Sequence, residues 1–427
     1  MMDLYRNVVT AAGVVALLVG TGSAWAAAPA GYVDASTYGF NTTDATFALQ
    51  SAINTGQNVY VPNMGSAWNV TPLTLTHSNQ TILFENGTVV AAKAGAFTAV
   101  DDALFSGGDI SNVTLSGYGA TLQMRKSDYQ QAPYAPGEWR HGISLGTVSN
   151  FQIKGLTIKD TGGDGIYLGA SQGLYNDNVL IKDVVLDNNH RQGISVISAR
   201  DMTIDNAVIL DTSGTNPQAG IDFEPNTSDQ RLENFTVRNS IINSNGTHGI
   251  LFATNNLADP SQVSGTIENV TLVGNTGSGI KLNQPLPGVT IKDSLFVTNH
   301  DSGVEGTPVT LDLLLNGPAR NSIDYSGFWD NDDAAASGWV SIGPGSVTNV
   351  QPLFYSTDVN SPDFMYLDPA VSSQIALGAG DGGYMGARPV YAVPEPGVLG
   401  MAGIGLIVWL GRRSRNRFSK EIHESHG

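Results

Sequence analysis

Apolar and polar residues alternate with a period of two through most of the middle of the chain. Six segments carry the same pattern: HGISLG (141–146), DGIYLG (164–169), QGISVI (192–197), AGIDFE (219–224), HGILFA (248–253) and SGIKLN (278–283). Each reads X-Gly-Ile-X-apolar-X, and the glycines fall at 142, 165, 193, 220, 249 and 279, at spacings of 23, 28, 27, 29 and 30 residues. A second series accompanies them: FQIKGLTI, VLIKDVVL, MTIDNAVI, FTVRNSII, GTIENVTL and VTIKDSLF. Period-two alternation predicts strands, and self-similarity at this interval predicts a stacked architecture. Short strands with one apolar face cannot bury it alone. Wound into coils about 4.8 Å apart, they pair each backbone group with the coil above and below. The expectation is an all-β solenoid, a parallel β-helix spanning residues 96–350, in which helix-period stretches are missing.

Residues 27–95 read as an N-terminal cap with first strands. In TTDATFALQSAIN, Phe47, Leu49, Ala52 and Ile53 suit one face of a short helix, with Thr43 or Asp44 as its N-cap. The open end of a β-helix exposes apolar side chains and unpaired backbone, so a capping helix is expected there. Residues 351–390 read as a C-terminal cap. Asp183, Asn206, Asn239, Asn269 and Asp293 recur at one place in successive units and read as turn residues, which tolerate left-handed backbone.

Both ends carry processing signals. Residues 1–26 place Arg6 before the apolar run VVTAAGVVALLVG and end on Ala24-Trp25-Ala26, the pattern of a cleaved secretory signal. Residues 391–427 hold Pro394-Glu395-Pro396, an apolar segment at 398–410, and then Arg412, Arg413, Arg415 and Arg417. This order resembles the PEP-CTERM sorting signal, which implies cutting by an exosortase-type peptidase. The apolar segment is a short transmembrane anchor with its basic flank in the cytoplasm. The expectation is an exported protein, extracellular or on the outer face of a Gram-negative envelope, transiently anchored and touching the membrane only through this segment.

Composition narrows the chemistry. The 427 residues contain no cysteine, which excludes disulfides, a thiolate nucleophile and cysteine-ligated metal. The net charge of −17 disfavours nucleic acid as a partner, and an anionic substrate would need local cations or a bound metal.

The run Asp-x-x-x-Ala-Leu-Gln-x-Ala-Ile, then Val-Tyr-Val-Pro, then Gly-Ile-rich coils is similar to the pectate-lyase-like superfamily, which includes polygalacturonases, tailspike depolymerases, alginate lyases and mannuronan epimerases. The resemblance covers most of residues 32–310 and implies a right-handed parallel β-helix with a short N-terminal capping helix. This fold hosts several chemistries, so the reaction must be argued from a site.

With the repeat glycine as position zero, positions +1 and +3 are apolar and point inward, and +2 and +4 are expected to face solvent. The +2 column reads Ser144, Tyr167, Ser195, Asp222, Leu251, Lys281, and the +4 column holds Glu224 among small residues. Asp222 and Glu224 then project from one strand with Cα atoms roughly 6.5–7 Å apart, which fits paired carboxylates for acid/base work on a glycosidic bond. The alternative readings are a solvated acidic face or a calcium site. The corner before each glycine holds His141, Asp164, Gln192, Ala219, His248 and Ser278, with Arg140 and Arg191 one position further back in two units. The candidate site is therefore Asp222, Glu224 and Asp164 as catalytic groups, with Arg191, His248, Tyr167, Lys281, Arg140 and His141 contacting substrate. In polygalacturonases aspartates and a histidine occupy this corner, which Asp164 and His248 match, though that family's paired aspartates and Arg-Ile-Lys signature are missing. Mannuronan epimerases place Asp-Pro-His-Glu after Gly-Phe. Here Gly220-Ile221-Asp222-Phe223-Glu224 keeps the aspartate and has glutamate in place of histidine.

The expected function is hydrolysis of an extracellular polysaccharide by carboxylate acid/base catalysis, with no required cofactor and Ca2+ as an optional ion. Two alternatives stand: a polysaccharide lyase or C5-epimerase acting on a uronate polymer, with Arg191, Lys281 or calcium neutralising the carboxylate, or a non-catalytic glycan-binding protein of the surface or biofilm matrix.

Overall fold

The computed structural model describes residues 27–171, 173–306 and 321–392. The signal region 1–26 and the segment 398–410 lie outside the described residues. Among those described, no helix is long and apolar enough to cross a membrane.

The period-two segments form a parallel stack. Ile143, Ile166, Ile194, Ile221, Ile250 and Ile280 pair in register from coil to coil, and all are fully buried. The +3 residues follow them inward, so Phe223 stacks on Phe252 with ring centroids 4.6 Å apart, close to the coil rise. These strands belong to a ten-stranded sheet, and the second series builds a 22-stranded sheet around the rest of each coil. The repeat glycine has a steric cause. A Cβ on Gly193 would stand 2.4 Å from the carbonyl oxygen of Gly220 in the next coil, and one on Gly220 would stand 2.7 Å from that of Gly249. Only a residue without a side chain lets the coils close at this corner.

The stack begins before residue 96. Tyr32–Asp34 pairs with Asn58–Val61, which pairs with Thr81–Phe84 and onward to Ser111–Gln123. These early coils lack the Gly-Ile signature, which is why the repeat under-reports them. The capping helix is Thr46–Ile53, with Asp44 Oδ1 accepting from the Thr46 N–H at 3.0 Å. Its buried face is Ala48, Leu49, Ala52 and Ile53, whereas Phe47, expected on that face, is 76 % exposed. The turn column has its expected backbone, with φ between 50° and 57° at Asp183, Asn206, Asn239, Asn269 and Asp293. A separate internal ladder runs Asn245, Asn275, Asn299, Asn331, each amide donating to the next side-chain oxygen at 2.9 Å.

The C-terminal segment lies against the flank of the stack. Leu367, Val371, Ile375 and Met385 pack on Leu295 and Val297, and Phe364, Met365 and Ala387 pack on Ile241. Arg388 donates to the carbonyl of Asn239, and the Gly380 N–H donates to Asp293 Oδ1. The expected cap is therefore a strap that covers outward-facing apolar residues of the larger sheet.

Candidate active site

The ten-stranded sheet lines up Ser144, Tyr167, Ser195, Asp222, Leu251, Lys281 and Glu305 on its outer face, one residue per coil. The pre-glycine corner adds a second row beside it. Here side chains far apart in sequence meet.

Both carboxylates of the 219–224 strand were expected on an open wall. The structure corrects this for Asp222, which exposes no surface, while the Glu224 side chain is 28 % exposed. Alternation sets a side chain's direction but not what lies over it. Gln192, from the corner of the preceding coil, reaches across and donates from Nε2 to Asp222 Oδ2 at 2.8 Å, and the neighbouring Leu251 is also buried. The Gln192 amide cannot turn over, because its Oε1 accepts from the Ala219 N–H at 2.8 Å.

Arg191 joins the acids of the coils on either side of its own. Its Nη2 pairs with Glu224 Oε2 at 2.9 Å, and its Nη1 lies 3.6 Å from Asp164 Oδ2. Burial opposes its charge, but Asp164 and then Glu224 outweigh that and hold it firmly cationic. Asp164 is fully buried, and neither of its oxygens has a hydrogen-bond partner of good geometry. Burial pushes its carboxyl up to about 7, with Arg191 drawing it back. Burial, and next the charge of Glu224, raises Asp222 well above the usual carboxylate range. Three carboxyl groups thus lie around one guanidinium, an arrangement in which burial and mutual repulsion oppose full ionisation. Asp222 Oδ2 accepts from Gln192, while Oδ1 is buried with no hydrogen bond of good geometry.

His141 completes the layer beneath. Its Nδ1 accepts from the Asp164 N–H at 2.9 Å, which fixes the tautomer with hydrogen on Nε2. Burial, then Arg191, lowers its pKa to about 3, so the ring is neutral. It stacks on Tyr167 at 4.7 Å with an interplanar angle of 2°. His141 is 4 % exposed and supports Tyr167 from below, where sequence placed it against substrate. Tyr167 is half-buried, its phenol raised by burial and then by Asp164, so its ring links the cluster to the surface beyond.

Three expected contacts lie elsewhere. Arg140 is fully buried, donating to the carbonyls of Phe97, Thr98 and Ala135 and lying over the rings of Tyr129 and Tyr134. It anchors the loop before the first Gly-Ile repeat strand, Ile143–Gly146, and cannot touch a ligand. His248 and Lys281 belong to a second cluster beyond Leu251. His248 Nδ1 accepts from the Ser278 N–H at 3.0 Å, and Lys281 is ion-paired with Glu305, which also accepts from Ser278 Oγ. Burial and then Lys281 lower the His248 pKa to about 4. Asp164 and His248, matched to one corner by resemblance, stand in different clusters because three coil steps separate their units. Gln192 and Glu305 were not singled out from sequence. Gln192 shares the corner position of His141 and Asp164, which was the available signal. Glu305 extends the Asp222 column in a coil without a Gly-Ile unit.

Among the described residues, no group of three or more His, Asp or Glu is arranged to hold a metal ion. The Arg191 guanidinium lies between Asp164 and Glu224, where a cation between those acids would sit, so this donor set does not fit calcium.

Next to Tyr167, over the N-terminal coils of the same sheet face, runs an open groove of about 500 Å³. Ser106, Ser144, Gly146, Gly169 and Leu174 are among its lining residues. The groove lies over the earlier coils, and of the candidate site residues only Tyr167 is among its lining residues.

Comparison with known proteins agrees with this architecture. Residues 141–310 match the family model described as right handed beta helix region, and residues 392–415 match the PEP-CTERM protein-sorting motif. No curated protein sequence matches the chain significantly. Among solved structures, the ORF18 protein of Geobacillus virus E2 superposes with a TM-score of 0.52 at 14% identity, covering 75% of this chain and 62% of that one. An exopolygalacturonase from Thermotoga maritima gives 0.43 at 10% identity, covering 75% and 92%. A surface adhesin of Streptococcus pneumoniae gives 0.46 at 12% identity, covering 79% and 99%. These likenesses are to the fold. The sorting motif marks the chain for export to the surface or medium, with processing by an exosortase.

Proposed function

Since this chain is a right-handed parallel β-helix protein carrying a PEP-CTERM sorting motif, we propose that it is an exported glycoside hydrolase acting on an extracellular polysaccharide. One observation carries the reading: three carboxyl groups lie around a single guanidinium, on a sheet face with an open groove over its earlier coils, and of the three only Glu224 has a substantial surface exposure. Glu224 is the group that meets the glycan. Asp222 sits behind it as a positioning residue that stores a proton. The proton passes through Glu224 to the glycosidic oxygen, and the bond from that oxygen to the anomeric carbon breaks. A water oxygen then bonds to the carbon, and its proton returns to the carboxyl pair. Arg191 fixes the Glu224 carboxylate in place, and Tyr167 offers a ring edge to the sugar.

Lyase or epimerase chemistry would need a cation for the uronate carboxylate, and Arg191 and Lys281 are both already engaged by acids. A non-catalytic glycan-binding role is the second reading, favoured by the full burial of Asp164 and Asp222, which a purely structural polar network would also show. On either reading the protein works at the outer face of a Gram-negative envelope, held transiently by residues 398–410.

The test is to incubate the full chain with a polysaccharide panel, with and without calcium, and to measure new reducing ends and ultraviolet absorbance of the products. Glu224→Gln is expected to lower the rate by a factor of about 10²–10⁴. Unsaturated products would replace hydrolysis by elimination. Binding without any product would leave the second reading, and an unimpaired Glu224→Gln enzyme would remove the site.

A further inference from the structure

The geometry points to a neutral glycan, one without carboxylates, as the occupant of the groove beside Tyr167. This deepens the reading of the site given above and rests on it for the position of the reacting bond. The groove floor is built from the outward positions of successive coils. Gly108, Gly146 and Gly169 pair in register, and a Cβ on Gly146 would find only the Gly169 carbonyl oxygen, 3.9 Å away. The floor is therefore bare backbone at Gly108 and Gly146, onto which a sugar ring can lie flat, and the Tyr167 ring covers Gly169, where a Cβ would stand 2.5 Å from its Cε1. Thr74, Ser106 and Ser144 supply hydroxyls from three consecutive coils, with Thr74 Oγ1 and Ser106 Oγ 3.4 Å apart. Leu174 forms an exposed apolar wall, and the Tyr167 ring stands at the end toward the acids. Beyond Tyr167 the same outward column continues to Ser195 and Asp222, whose Oγ and Oδ1 are buried without a hydrogen bond of good geometry.

Charge decides the class of ligand. Among the described residues, no lysine, arginine or histidine lines the groove, and the one acid there is Asp109. A uronate chain would bring a carboxylate on each residue past Asp109 and up to Glu224. Arg191 already bridges Glu224 and Asp164, Lys281 is paired with Glu305, and Arg200 and Arg231, stacked on Tyr175 next to Leu174, are paired with Asp177 and Glu233. With a formal net charge of −17, the protein as a whole adds repulsion. Hydroxyl donors, backbone and one aromatic ring suit an uncharged pyranose chain.

The experiment separates binding from turnover. The full chain carrying Glu224→Gln is titrated calorimetrically with dextran and laminarin as neutral probes and with alginate and polygalacturonate as anionic ones. The expected result is binding of a neutral probe at least about tenfold tighter than either anionic one. Gly146→Leu, which fills the floor at a position with room for a side chain, should weaken that binding by about tenfold or more without lowering the melting temperature. Ser144→Phe, one rung position away, provides the same block should the first variant fold poorly. Tighter binding of an anionic probe, binding of none of the probes, or groove variants that bind as well as their parent would each overturn the assignment. A wild-type protein that binds a neutral glycan without cleaving it would refute hydrolysis and leave this inference standing.

Discussion

Replacing Asp164 with asparagine keeps the side chain's shape and removes its ionisation. Burial lifts this carboxyl from 3.8 to about 7, even with Arg191 alongside. A displacement of about three units at roughly 1.4 kcal/mol each amounts to about 4 kcal/mol. The sign follows from which state holds the proton more tightly. The folded chain does, so the stabilisation from protonated Asp164 is complete below about pH 4 and is lost as pH rises through about 7. Wild type should thus lose up to about 4 kcal/mol relative to Asp164→Asn between about pH 4 and pH 8. Any loss of packing in the variant is common to all pH values and drops out of that comparison. Paired denaturation curves at several pH values measure it, and hydrogen exchange of amides near 164–196 localises it, since a solenoid can open coil by coil. A stability difference that is flat with pH, or one in which wild type gains as pH rises, would refute the idea that burial dominates Asp164.

Gln192→Leu removes the donor that holds Asp222 Oδ2. Without it the charged form of Asp222 loses support, so the alkaline limb of the kcat profile should move to higher pH while kcat falls by about tenfold; an unchanged profile would show that Asp222 does not hold the working proton. Arg140→Met leaves the carbonyls of Phe97 and Ala135 without their charged donor. It should cost about 3 kcal/mol in denaturation experiments, with glycan binding per folded molecule unchanged; a specific loss of binding would return Arg140 to the site.

The sequence determined the coil. Glycine at each corner and apolar residues at +1 and +3 repeat because carbonyls from the next coil and the shared core leave no other choice, and both constraints are local enough to read as a pattern. It also brought Asp164, Arg191, Asp222 and Glu224 together, since register follows from the repeat. Tertiary structure decided what covered them. Gln192 folding over Asp222, Arg191 bridging two acids, and Leu251 standing between the carboxylates and the His248–Lys281 cluster depend on side-chain reach between coils, which alternation does not encode. First strands before residue 96 and a C-terminal segment at 351–390 were legible, but not that the stack pairs back to Tyr32 or that residues 354–388 lie along its flank. Early coils pair through backbone without the glycine signature, and the strap is held by outward apolar residues such as Ile241 and Leu295, whose solvent-facing positions gave no reason to expect a partner.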